Sequence, residues 1–284
     1  MSAASADQQP APWRIDRGLA TDLAEALGWS AEDGPAALAR RIPERLPCGS
    51  TAKLAAIAAG GVPPGADVDA LAATVLGHLH DPGGRSTGGS PSWSCWVLVG
   101  LVAAVLDGAG IPAEVVITRR IDAEAPAVDL HGTVLAGPPG ERWFLQPYFG
   151  LAAPHPTDGP ASVDGDLPIG TLRAWVGDDG RVEVEEHLRR WPAALRYRVL
   201  AIGADRDDVA AMAAISATHT GVPFRPYARL HRPDGTIVDA READDGRFLV
   251  GTWTPGGVEP NETTHPTWPG ATEHFLHLTG ISLR

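Results

Sequence analysis

The stretch Ser94-Cys95-Trp96-Val97-Leu98-Val99-Gly100-Leu101-Val102-Ala103-Ala104-Val105-Leu106, closed by Asp107-Gly108-Ala109-Gly110, decides how the chain is read. Its apolar core, Val97 to Leu106, is about ten residues long. Crossing a bilayer takes roughly 20, so this run is a buried element and not a membrane span. A Gly-ended apolar segment of this length reads as one helix buried on every side. Ser92 and Ser94 both stand where an N-cap belongs, which puts Cys95 in the first turn. There the positive end of the helix dipole favours a thiolate. A buried cysteine is also an ordinary small apolar residue, so this segment alone leaves both readings of Cys95 open.

Downstream of Gly110 the pattern changes from helical to strand-like. Ile111-Pro112-Ala113-Glu114-Val115-Val116-Ile117 is β-rich, and Asp129–Leu135 and Glu141–Tyr148 form a hairpin around Gly137-Pro138-Pro139-Gly140. A turn symmetric about the Pro138–Pro139 bond sets His131 directly opposite Gln146, with side chains on one face about 5 Å apart at Cβ. A slip of one residue would send them to opposite faces. A histidine near a cysteine can take the thiol proton, and an acceptor on its other ring nitrogen fixes its tautomer and orientation. The amide oxygen of Gln146 can be that acceptor, although it cannot balance an imidazolium as a carboxylate does. Singly, each is an ordinary strand residue. Together, downstream of a helix-opening cysteine, they read as a Cys95–His131–Gln146 set.

Upstream, apolar residues recur at helical spacing, as in Leu19, Leu23, Ala26 and Leu27, then Val68, Leu71, Ala72, Val75 and Leu79. Asp22 is placed to support the first of these helices near its N-terminal turn, and Gly28 ends it. His80 to Ser92 is a loop by composition. Residues 1–12 are too polar to pack and read as a disordered lead, without the basic and apolar regions of a secretory signal. The net charge of -12 argues against nucleic acid or an anionic membrane as partner. Two cysteines do not make a disulfide framework, so a reducing cytoplasm is expected, with both thiols free. All cationic side chains but Lys53 are arginine, which fits a GC-rich coding sequence.

The order Cys95, then GIPAEVV, then His131, then ERWFLQPYFG resembles the papain-like/transglutaminase-like superfamily, and within it the arylamine N-acetyltransferases. In that family the active-site histidine precedes a W/Y-L-V-D-V-G-F-G strand at the spacing seen from His131 to Gln146. Trp143 to Gly150 (WFLQPYFG) is similar to that strand, and Trp191 to Tyr197 (WPAALRY) to a W-x-P-L-Y segment. Ala217 to Phe224 (ATHTGVPF) is similar to S-T-H-P-x-S-P-F, and Phe275 to Leu283 (FLHLTGISL) to the family's closing L-x-x-x-F-G-I-x-L. Three departures stand out. Arg85 and Gly88-Gly89 lie further upstream of Cys95 than in the family's R-G-G-x-C-x-E-x-N motif. The Glu and Asn positions of that motif are Val97 and Val99. The position of the triad aspartate is Gln146.

The resemblance implies an α+β fold. An N-terminal helical subdomain carries the Cys helix (13–110), a central antiparallel β-barrel-like subdomain carries His131 and Gln146 (111–207), and a C-terminal α/β lid follows (208–284). It implies a ping-pong acyltransferase joining the acyl group of a thioester to a small-molecule amine. The cosubstrate is then acyl-CoA or an acyl-carrier thioester, with an acyl carrier protein as partner in the second case and no permanently bound cofactor. Thr218, His219 and Phe224 are carried over as residues near the thioester cleft. The altered nucleophile motif points toward an amide synthase of actinobacterial secondary metabolism. The competing readings are a transglutaminase-like or cysteine hydrolase, and a weakened homologue kept as a binding module. His274 and His277 share a helical face near His265, but no cysteine or carboxylate completes a zinc set at the usual spacing, so no metal is expected.

Overall fold

The computed structural model describes residues 15–52, 54, 68–84, 91–122, 130–158, 170–188, 194–205, 207, 208, 211, 225–255, 257 and 259–283. The helical half runs α1 (Arg17–Leu27), a 3₁₀ turn (Ala31–Asp33), α2 (Pro35–Arg45), a two-residue strand β1 (Cys48–Gly49), α3 (Val68–His80) and α4 (Cys95–Gly108). Seven strands follow: β2 (Ala113–Arg120), β3 (Leu130–Ala136), β4 (Trp143–Gln146), β5 (Leu151–Pro154), β6 (Gly170–Val176), β7 (Val182–Leu188) and β8 (Leu195–Ile202). The chain closes with β9 (Tyr227–His231), β10 (Ile237–Glu242), β11 (Phe248–Trp253), β12 (Asn261–His265) and α5 (Trp268–Thr279).

Every residue of α4 from Trp96 to Leu106 is buried, as a helix apolar on all faces requires. It packs between the other helices and strands β2 and β3, at the centre of the larger hydrophobic core. α1 ends at Gly28, whose left-handed φ of +68° lets its N–H reach back to the carbonyls of Ala24 and Glu25. Its N-terminus, however, is capped by Asp16, whose carboxylate accepts from Leu19 N–H at 3.1 Å. Asp22 instead lies inside the helix, so the capping carboxylate is six residues upstream of the expected one.

The larger sheet has the order β5-β4-β3-β2-β8-β7-β6, with every neighbouring pair antiparallel. Its outer strands β5 and β6 pack against each other, so the sheet curls into a nearly closed barrel. The hairpin register differs from the expected one. Val134 pairs with Leu145, Leu135 with Phe144 and Ala136 with Trp143, so the turn is centred on the Pro139–Gly140 bond. Gly137 (φ +115°) leaves the strand, and a tight turn then closes with Glu141 N–H on Pro138 C=O at 3.0 Å. The register therefore moves by two residues. Continued one pair further, it sets Gln146 opposite Thr133 and makes His131 its diagonal neighbour. A shift of two preserves the face, so the shared side survives although the direct pairing does not.

The smaller sheet has the order β1-β9-β10-β11-β12, and α5 covers it through Phe275, Ala271 and the closing Ile281 and Leu283. Its edge strand β1 falls within the stretch expected to be helical. Gly49 is required there: a Cβ would meet the Tyr227 carbonyl oxygen at 2.0 Å. No helix among the described residues is long and apolar enough to cross a membrane.

Candidate active site

Cys95 is the first residue of α4 and is partly buried. Ser94 caps the helix, its Oγ accepting from Val97 N–H at 3.5 Å. Ser92, the other candidate cap, does different work. It is fully buried; its Oγ donates to the Tyr227 carbonyl at 2.7 Å and accepts from Thr51 N–H at 2.9 Å. Trp93 is held in the same way, its N–H on the Pro47 carbonyl at 2.7 Å and its carbonyl taking Gly49 N–H at 2.8 Å. The segment entering the Cys helix is thus stitched to β1 and β9 of the smaller sheet, which fixes where the thiol emerges. Trp93 and Trp96 are each only 2% exposed, so both belong to the core.

The second cysteine, Cys48, lies beside Trp93 through a parallel bridge. Desolvation first, then the nearby Cys95, pushes its thiol up to about 12, with Arg229 opposing. Cys48 therefore stays protonated and cannot compete as the nucleophile. Arg229 is held over the rings of Phe149 and Tyr227, 5.1 Å from each centroid.

His131 lies at the start of β3, opposite Thr118 of β2, whose hydroxyl donates to the His131 carbonyl at 3.0 Å. The next residue, Gly132, faces the other way, against α4. A Cβ there would meet the Trp96 ring at 2.8 Å. The His131 ring turns into the barrel, where it meets the edge of Tyr197 (centroids 5.1 Å apart) and Tyr148 (6.2 Å). Tyr197 reaches this face because of a bulge. Ile117 pairs with Ala201 but Thr118 pairs with Val199, and the extra residue, Leu200, swings the rest of β8 over.

Sequence reasoning missed the residue at the centre of this cluster. Glu186 of β7 is 0% exposed, accepts from Tyr148 Oη at 3.0 Å and faces Tyr197 Oη at 3.5 Å. Burial raises its carboxyl to about 7. The charge of His131 is the largest opposing influence, followed by hydrogen bonds from Tyr148, Gln146 and Tyr197. Gln146, 3% exposed, thus presents its amide nitrogen to Glu186, while its Oε1 is buried without a hydrogen-bond partner among the described residues. The Tyr148 phenol is held well above its ordinary value by burial first and then by Glu186, Tyr197 and Cys95. Tyr148 therefore stays a neutral donor, within electrostatic reach of both the thiol and the carboxylate.

Comparison with solved structures settles what this architecture is. Over 94% of this chain and 93% of the other, it superposes on a variant of the Mycobacterium smegmatis N-arylamine acetyltransferase at TM-score 0.69 and 15% identity. The Bacillus cereus arylamine N-acetyltransferase, described as having a unique Cys-His-Glu catalytic triad, matches over 95% and 100% at 0.66 and 15%. The Mycobacterium marinum arylamine N-acetyltransferase, in complex with CoA, matches over 92% of each chain at 0.64 and 15%. This chain has the arylamine N-acetyltransferase fold. No protein-family model and no curated protein matches the sequence.

In this acetyltransferase fold the segments that carry the sequence resemblance have structural work to do. Gly150 of WFLQPYFG has φ +69° and passes close over α2, where a Cβ would meet Pro43 at 3.1 Å. WPAALRY ends at Tyr197 in the barrel interior, and FLHLTGISL supplies Phe275, the Gly280 cap (φ +76°) and two buried apolar residues. Thr218, His219 and Phe224 lie outside the described residues, as do Arg85, Gly88 and Gly89. His274 meets His265 at 3.0 Å between Nδ1 and Nε2, joining α5 to β12. Among the described residues no group of three or more His, Cys, Asp or Glu could hold a metal ion.

Proposed function

We propose that this protein is an acyltransferase that takes an acyl group from a thioester onto Cys95 and passes it to a small amine. One observation carries the reading: Cys95 opens α4 of an arylamine N-acetyltransferase fold within electrostatic reach of Tyr148, whose ring meets His131. His131 accepts the Cys95 thiol proton, and the thiolate attacks the thioester carbonyl. The donor's thiol leaves with that proton, and the acyl group stays on sulfur. The amine then attacks the cysteinyl thioester, His131 takes its proton, and an amide and the free thiol result. Gln146 orients His131 as the third member. The glutamate in the triad of the B. cereus neighbour supports the view that this fold does not need aspartate there. Coenzyme A, bound in the M. marinum neighbour, is the first donor to test, with Thr218, His219 and Phe224 near the thioester. The altered motif around Cys95 favours a specialised amide synthase, for which a carrier-protein thioester is the alternative donor.

Intact-protein mass spectrometry after incubation with acetyl-CoA, longer acyl-CoAs and carrier-protein thioesters tests this directly. A mass gain that disappears in Cys95→Ala and is discharged by an amine is the expected result. No adduct with any thioester would overturn the proposal.

A further inference from the structure

We propose that Glu186 supplies the negative charge that Gln146 lacks, balancing protonated His131 from the far side of the barrel. The inference rests on the acyltransfer reading of Cys95 and His131, and it goes beyond it by moving the third member's charge to a different strand.

The strand registers carry the argument. His131 pairs with Thr118, and past the bulge Val199 pairs with Thr118 and Tyr197 with Arg120, so His131 and Tyr197 share a face. Tyr197 pairs with Val184 of β7, and Glu186 is two residues further along, so Glu186 shares that face too. Along the sheet β7 and β3 are three strands apart, about 14 Å at ~4.8 Å per strand. Closure of β5 on β6 folds that distance away. The Tyr148 hydroxyl, just beyond β4, reaches the Glu186 carboxylate at 3.0 Å across the interior.

Among the described residues, no other cation stands among the leading influences on this carboxylate. β3 contributes His131, β8 contributes Tyr197, and the segment after β4 contributes Tyr148. From β6, the residue opposite Glu186 is Leu172. His131 is therefore the one cationic partner among the described groups acting on Glu186. A carboxylate buried at 0% exposure is costly unless charge and donors compensate it. Here the donors come from Tyr148, Tyr197 and Gln146, and the charge comes from His131. When Cys95 gives up its proton to His131, the charge gained by the ring holds Glu186 ionised against its burial, and the two charges balance without the proton moving on to the carboxylate. Glu186 is thus a positioning residue acting through His131, and Gln146 supports it by donating its amide nitrogen to the carboxylate.

The test follows Cys95 alkylation by iodoacetamide from about pH 5.5 to 9.5, with peptide mass mapping, alongside single-turnover acylation from acetyl-CoA. Four full-length proteins are compared: wild type, Glu186→Gln, Gln146→Asp and Gln146→Asp/Glu186→Gln. Near pH 7, Glu186→Gln should slow alkylation by ~10-fold or more, with the gap to wild type closing toward the alkaline end, where hydroxide takes the thiol proton in place of His131. The double variant, with the carboxylate returned to the position of the family's aspartate, should recover most of that loss. Superimposable profiles would overturn the proposal. So would an equal loss at every pH, which marks a packing defect, or a double variant no better than Glu186→Gln. Should Glu186→Gln not fold, Glu186→Asp keeps the charge but withdraws it. A loss near pH 7 that closes at high pH supports the pairing, and an unchanged profile overturns it. Failure of the acyltransfer reading looks different: no thioester adduct forms, whatever the alkylation profiles show.

Discussion

The two thiols are near neighbours with opposite prospects. Cys95 emerges at a helix N-terminus, while desolvation holds the Cys48 thiol up to about 12. At pH 8 the thiolate fraction of Cys48 is then about one in ten thousand. A single equivalent of iodoacetamide should label Cys95 almost exclusively, as tryptic mapping will show, and substantial label on Cys48 would contradict its desolvation. Tyr148 offers a second single-residue test. Its hydrogen bond lowers the Glu186 carboxyl against burial, so Tyr148→Phe must raise that carboxyl further above about 7. The acid limb of the acylation profile, where ionised Glu186 is lost, should then move to higher pH. An unmoved limb would mean that Glu186 does not govern it. Glu186 was missed in the sequence because it sits in Glu183-Val184-Glu185-Glu186, which reads as a solvated acidic strand. Its phase gave it away: Val184, Glu186 and Leu188 are the inward positions, and only one of them is charged.

At the scale of elements, what was legible followed from periodicity. Cys95–Gly108 as a fully buried helix, the strand after Gly110 and the Asp129–Tyr148 hairpin each needed only hydrophobic pattern and turn residues. The register was not legible, because the Gly137 and Gly140 conformations recentre the turn and no pattern of apolar residues records that. The clamp formed by Ser92, Thr51 and Tyr227 joins residues up to 135 apart, which local reading cannot pair. Where α4 meets β3, Gly132, next to His131 in the chain, leaves room for the ring of Trp96, next to Cys95. Gly132→Ala drives a methyl into that ring and should cost about 1–3 kcal/mol, with a disproportionate loss of acylation because α4 shifts relative to His131. Thermal melts and single-turnover rates check both parts. Ser92→Ala strips the buried Thr51 N–H of its partner and removes one of two hydrogen bonds to the Tyr227 carbonyl, which keeps Ser50 N–H, and should cost about 1–3 kcal/mol. A neutral effect of Ser92→Ala would show that the entry to the Cys helix is not held by this clamp.

For the molecule as a whole, the buried cluster sets a pH dependence of stability that runs against the other shifted carboxylates and histidines. Asp33, Asp158, Asp234 and Asp245 are lowered, chiefly by hydrogen bonds, so the stability they add is present above their unfolded values and lost on acidification. His155 and His274 are lowered by burial, so they too add stability as pH rises toward 6.5. Glu186 has the other sign. Its carboxyl is raised from 4.5 to about 7, so the native state holds its proton more tightly than the unfolded chain does. Its contribution is fully present below about 4.5 and is lost as pH rises through about 7, a swing on the order of 3 kcal/mol. Wild type alone cannot display this, because the histidines titrate in the same window with opposite effect. The difference between Glu186→Gln and wild type reports Glu186 together with the partner charge of His131, since the remaining groups are common to both. The variant should gain relative to wild type from about pH 4.5 upward and level off above about pH 7. At roughly 2–4 °C per kcal/mol, melting temperatures should separate by several degrees there. A constant difference across that range would show that Glu186 is not titrating in the fold. The expected gain in stability, set against the expected loss of thiolate reactivity in the same variant, is the trade a strained catalytic group makes with the fold that buries it.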